Sequence, residues 1–124
     1  MKPMRWAPLL LGLSLGMLLL AAPMTTGAQA AGTPVIIEFR SKICPYCYQM
    51  AQILGELERK YSGQITVQYY NNDTDDPMFK RYRVSLVPTI VILSPSGSEV
   101  YRHEGAVPKD ALVSTLKGLN YIRD

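Results

Sequence analysis

At 124 residues, with 13 basic and 10 acidic side chains and a formal charge of +3, the chain has room for one small domain and lacks the strong basicity of a nucleic-acid binder. Even that surplus is local, because Lys2 and Arg5 are the only charged residues among the first 30, and the remainder carries 11 basic against 10 acidic side chains. Two cysteines and one histidine, His103, fall short of the four ligands of a structural zinc site.

The chain opens with Lys2 and Arg5, runs through the apolar stretch Leu9 to Ala22, and reaches Ala28-Gln29-Ala30. A basic end, an apolar middle and Ala-x-Ala predict a secretory signal peptide over residues 1–30, cleaved after Ala30. The apolar part is short for a membrane span, which needs about 20 residues. An uncleaved anchor from Trp6 to about Met24 is the alternative, and the one route by which a membrane would enter. No cysteine follows the apolar stretch to take a lipid, and there is no twin-arginine pair. The domain expected is residues 31–124.

Val35 to Phe39 is a continuous apolar run broken only by Glu38, the mark of a buried strand with one unexpected acid. Arg40 to Ile43 forms a polar connection into Cys44-Pro45-Tyr46-Cys47. From Cys47 onward Met50, Ile53, Leu54, Leu57 and Tyr61 recur at helical spacing, so a helix packed on a sheet is predicted to about Tyr61. Cys47 falls on that apolar stripe and Cys44 lies off it, at the helix start. Ile65 to Tyr69 alternates as a strand. Asp76 is the expected N-cap of a short helix with Pro77 at its first position. The acidic run before it lacks the glycine and terminal glutamate of a calcium loop. Ile90 to Leu93 and Glu99 to His103 read as a hairpin about the turn Ser94 to Ser98, and Pro108 opens a last helix faced by Leu112, Val113, Leu116 and Leu119. The order βαβαββα predicts an α/β fold: a four-stranded mixed sheet with a parallel first pair, an antiparallel hairpin and helices on both faces.

A Cys-x-x-Cys beside a strand–helix pattern is a redox signal, since the first turn of a helix brings the two sulfurs within bonding reach. In an exported chain the competing reading is a structural bridge, in a redox-inactive binding module. A bridge across two residues closes a very small loop and removes little entropy from the unfolded chain, which favours the redox reading. Copper delivery by the two thiols lacks supporting Met-rich or His-rich motifs. Cys44, at the helix amino terminus with Lys42 close in sequence, is expected to be the more easily ionised and more exposed sulfur, hence the nucleophile. Cys47 is expected to resolve the mixed disulfide from the buried side.

These residues together resemble the thioredoxin superfamily. The resemblance runs throughout residues 31–124 and is carried by the strand ending Glu38-Phe39, by Cys44-Pro45-Tyr46-Cys47 opening a helix, and by Tyr82-x-Val84-x-x-Val87-Pro88-Thr89 before the hairpin. It implies a minimal thioredoxin fold and exchange of disulfides with protein cysteines, with no cofactor. It further implies a cis Pro88 beside the disulfide, Val87 offering its backbone to an extended substrate, and Gly105 leaving room for that substrate. A trans proline at a strand start suits the sequence alone equally well. Glu38 takes the position of the acid that thioredoxins bury beneath the second cysteine, where a raised pKa suits a proton relay to Cys47. The alternative is a carboxyl turned to the sheet edge and water. Tyr46 is expected to shape the site.

The departures are also informative. Pro45-Tyr46 is the glutaredoxin pair, yet no paired-glycine segment of the kind that holds glutathione is present. Arg40 and Ile43 replace the aromatic residues that thioredoxins carry before the motif, and Gln52 replaces the helix-kinking proline. Few residues precede Val35, so the extra amino-terminal strand and helix of full thioredoxins are not expected. The chain is thus expected to be a monomeric, exported thiol–disulfide oxidoreductase of a bacterial periplasm, acting on protein thiols or disulfides with an unidentified redox partner.

Overall fold

The computed structural model describes residues 32–124. The signal peptide and its cleavage point, read over residues 1–30, lie outside the described residues. The elements follow the order β1 (Val35–Arg40), α1 (Pro45–Lys60), β2 (Thr66–Asn71), α2 (Asp76–Arg81), β3 (Thr89–Leu93), β4 (Glu99–Glu104) and α3 (Lys109–Gly118).

The sheet runs β2-β1-β3-β4. The apolar strand β1 is interior, parallel to β2 with Glu38 opposite Tyr69, and antiparallel to β3 with Glu38 opposite Ile90. A parallel pair needs a crossover, which α1 supplies, whereas β3 and β4 need only a tight turn. That turn closes with Ser94 N–H donating to Ser98 C=O at 2.7 Å and Gly97 at φ +89°.

Side chains alternate across β1 and divide the core in two. Ile36 packs with Met50, Leu54, Leu57, Leu112 and Leu116, on the face that α1 and α3 cover. Ile37 and Phe39 point the other way, with Met78, Phe79 and Tyr82 of α2 and its carboxyl end. Phe39 meets Phe79 edge-on with ring centroids 5.0 Å apart. The expected helices on both faces are therefore present, two on one side and one on the other. Glu38, in phase with Ile36, belongs to the α1 face.

The short helix is capped one residue earlier than expected: Asp75, not Asp76, is the N-cap of α2. The Asp75 carboxylate accepts from Asn71 N–H at 2.8 Å, folding the preceding turn and leaving Asp76 and Pro77 in the first helical turn. The last helix begins after Pro108, which is its N-cap, and Leu119 caps it rather than continuing it. Both α2 and α3 end in a left-handed residue, Arg83 at φ +54° and Asn120 at φ +60°. At each end the next N–H reaches back to close the turn, Val84 to Phe79 C=O at 2.9 Å and Tyr121 to Leu116 C=O at 2.9 Å.

Candidate active site

Cys44 occupies the N-cap of α1 in extended conformation, and Pro45 follows at the first helical position. That placement costs no backbone hydrogen bond, because the first N–H groups of a helix have no intrahelical acceptor. One of them is satisfied by sulfur: Cys47 N–H donates to Cys44 Sγ at 3.1 Å. The Cys44 C=O accepts from Cys47 N–H at 3.1 Å and Tyr48 N–H at 3.3 Å, so the turn is well formed. The two cysteines are joined as a disulfide, with Cα atoms 5.2 Å apart.

The helix separates the two sulfurs by environment. Cys44 is partly exposed, while Cys47 is fully buried on the stripe that continues through Met50, Leu54 and Leu57. A thiolate at Cys44 would face a backbone N–H and the positive end of the helix dipole. Lys42 does not stand free to add its charge, since its ammonium pairs with Asp73 at 2.7 Å.

Glu38 lies on the sheet face beneath α1 and has no exposed surface. Neither carboxylate oxygen has a hydrogen-bond partner. Burial pushes its pKa up from 4.5 to about 7, against the opposing pull of the Arg40 guanidinium. The alternative of a carboxyl turned to water at the sheet edge is therefore not what the fold contains.

The Val87–Pro88 peptide bond is cis, and Pro88 is buried at the entrance to β3. Thr89 ties this turn together, its hydroxyl donating to Leu86 C=O at 2.6 Å. Gly105 N–H donates to Pro88 C=O at 2.7 Å, joining the end of β4 to the proline turn. Gly105 adopts φ +95°, which L side chains rarely take, and a Cβ built there would meet nothing within 4 Å. Val87 is half-buried, and among the described residues its N–H and C=O take no partner. Tyr46 is 63% exposed and Ile43 90%, giving the motif exposed apolar surface, and Leu86 of the proline turn is exposed as well. His103 is exposed on β4, apart from this chemistry. Among the described residues no three metal-ligating side chains gather.

A group that the sequence reading passed over stands beside Glu38. Arg40 lies against two aromatic rings, its Cζ 5.4 Å from the Tyr48 centroid and 5.5 Å from that of Tyr69. Tyr48 is fixed by donating its hydroxyl to Lys42 C=O at 2.8 Å. The available signal was strand alternation, which puts residues 38 and 40 on one face.

A family model described as Thioredoxin matches residues 25–118. The chain is 32% identical over 84 residues to a thioredoxin from Synechocystis, covering 68% of this chain and 78% of that protein. It is also 32% identical over 101 residues to a Synechocystis protein named thiol:disulfide interchange protein TxlA homolog, covering 80% of this chain and 56% of that one. Among solved structures, a thioredoxin-2 described as a component of malaria parasite protein secretion machinery superposes with a TM-score of 0.65 at 21% identity. That superposition covers 69% of this chain and 82% of the other, and it bears on the fold alone.

Proposed function

The chain belongs to the thioredoxin family, and from that premise we propose that it is an exported thiol–disulfide oxidoreductase exchanging disulfides with protein cysteines. The observation that carries the reading is the asymmetry of the pair: a partly exposed Cys44 sulfur at the α1 amino terminus and a buried Cys47 on the face that holds Glu38.

In the reducing direction the Cys44 thiolate attacks one sulfur of a partner disulfide and the other partner sulfur leaves as a thiolate. Cys47 then loses its proton to Glu38 and attacks the Cys44 sulfur, forming the Cys44–Cys47 bond and releasing the second partner thiol. Two electrons pass to the partner. The oxidising direction is the same sequence reversed, starting from the disulfide state described above.

Val87, whose N–H and C=O take no partner among the described residues, suits the backbone of an extended substrate segment, and the open side of Gly105 leaves space for it. Ile43, Tyr46 and Leu86 favour apolar side chains flanking the substrate cysteine. Export rests on the basic–apolar–Ala-x-Ala pattern of residues 1–30, and a bacterial periplasm is the compartment proposed.

The test is insulin reduction, and oxidation of a reduced dithiol peptide, by the protein lacking residues 1–30 and by its Cys44→Ser variant. Activity lost in Cys44→Ser supports the reading. A wild type inactive in both directions would instead indicate a binding module with a structural disulfide.

A further inference from the structure

Glu38 and Arg40 carry three buried side-chain atoms without a hydrogen-bond partner: both Glu38 carboxylate oxygens and Arg40 Nε. The two residues face the same side of β1, the side that α1 covers, with β2 as the neighbouring strand. Tyr69 stands opposite Glu38 in the β1–β2 ladder, and its ring lies against the Arg40 guanidinium. The ring of Tyr48, from α1, also lies against it. An arginine at the end of a strand ordinarily extends its charge into water. Here the guanidinium instead rests against two rings, one of which belongs to the residue opposite Glu38 in the ladder.

We propose that Arg40, held against Tyr48 and Tyr69, is the positioning residue that decides when Glu38 releases its proton, and thereby when Cys47 can be activated. This deepens the oxidoreductase reading and rests on it. The physical balance has two sides. Desolvation favours neutral Glu38, and a nearby guanidinium favours the anion. Without the cation the carboxyl would hold its proton to higher pH and accept one from Cys47 less readily near neutrality.

The other groups about Glu38 leave Arg40 as the cation that matters. On β2 Tyr69 is a neutral phenol, held protonated by burial and by the Glu38 charge. From α1 come the buried Cys47 and the ring of Tyr48. β3 contributes Ile90, which has no charge. Glu58, near the end of α1, accepts from Val67 N–H at 2.6 Å and acts on Tyr69, as does Arg59. From α1 toward α3, Glu56 pairs with Lys109 at 2.6 Å.

The test follows the Glu38 carboxyl by 13C NMR across pH in the oxidised protein, for wild type, Arg40→Met, Arg40→Gln and Arg40→Lys. Two neutral variants are used so that whichever keeps the fold carries the measurement. The expected result is an upward shift of the Glu38 midpoint by about one pH unit in the neutral variants, with most of the shift reversed in Arg40→Lys. A folded neutral variant that titrates like wild type overturns the proposal, and so does an equal shift in Arg40→Lys, because charge would then not be the cause. A smaller upward shift is expected in Tyr48→Leu, and no shift there overturns the part given to the rings. The measurement needs no turnover: an inactive wild type sinks the oxidoreductase reading while the titration still decides the Arg40–Glu38 coupling. In an active protein, the pH midpoint for resolution of a trapped mixed disulfide moves with the carboxyl.

Discussion

Glu38 and Cys47 occupy the same side of the sheet, the acid on the central strand and the sulfur in the first turn of the helix that covers it, and neither has any surface in contact with water. Every proton that leaves Cys47 must therefore travel through protein or bound water, and Glu38 is the titratable carboxyl on that face.

Burial of that carboxyl makes stability depend on pH. Its pKa is raised in the fold from 4.5 to about 7, so between those values the unfolded chain has released a proton that the folded one retains. Stability from this group is present at the acid end and falls as pH rises through the folded value. Urea titrations of the oxidised protein should show a loss of about 3 kcal/mol between about pH 4 and pH 8 that is absent in Glu38→Gln. A wild-type profile as flat as that of the glutamine variant would contradict it.

The same variant separates the two chemical steps. In Glu38→Gln, attack of Cys44 on a disulfide substrate should keep most of its rate, while resolution by Cys47 slows by about 10- to 100-fold near neutral pH. Single-turnover stopped-flow with a fluorescent disulfide reads both phases. Equal rates in the second phase would remove Glu38 from the relay.

Cys47→Ser should leave the attacking sulfur in place and remove the resolving one, so partner proteins remain attached through Cys44. Intact-protein mass spectrometry after mixing with an oxidised substrate should find the covalent adduct in Cys47→Ser and none in Cys44→Ser. Adducts through residue 47 in Cys44→Ser would reverse the assignment.

The left-handed positions give a paired test of backbone strain. Arg83 ends α2 at φ +54° where glycine would sit without penalty, so Arg83→Gly should raise stability by up to about 1 kcal/mol. Gly105→Ala runs the other way, with φ +95° and no steric neighbour, so a loss on the order of 1 kcal/mol is expected from backbone strain alone. Thermal melts of the two variants should move in opposite directions.

Phe39 anchors α2 through contacts with Phe79 and Tyr82, beside Tyr70 of β2. Phe39→Ala should cost about 3–5 kcal/mol, a large share of the stability of so small a domain. A denaturation midpoint unchanged in that variant would mean that α2 is held chiefly by other contacts.

Much of this arrangement was legible in the chain. The apolar run of β1, the helical stripe from Cys47 to Tyr61 and the hairpin about Ser94 to Ser98 specify their elements, because period and turn chemistry are local properties. The asymmetry of Cys44 and Cys47 was legible for the same reason, since one sulfur lies on the buried stripe and the other at the helix start. Tertiary structure decided the rest. That Glu38 is sealed from water, and not turned to the sheet edge, depends on α1 lying across β1. That Lys42 is drawn off to Asp73 depends on the loop after β2 arriving beside it. Arg40 read as part of a polar connection, and only the meeting of α1 with β2 supplies the two rings against which it rests. A charge acts through distance and through the dielectric around it, and residues remote in sequence set both.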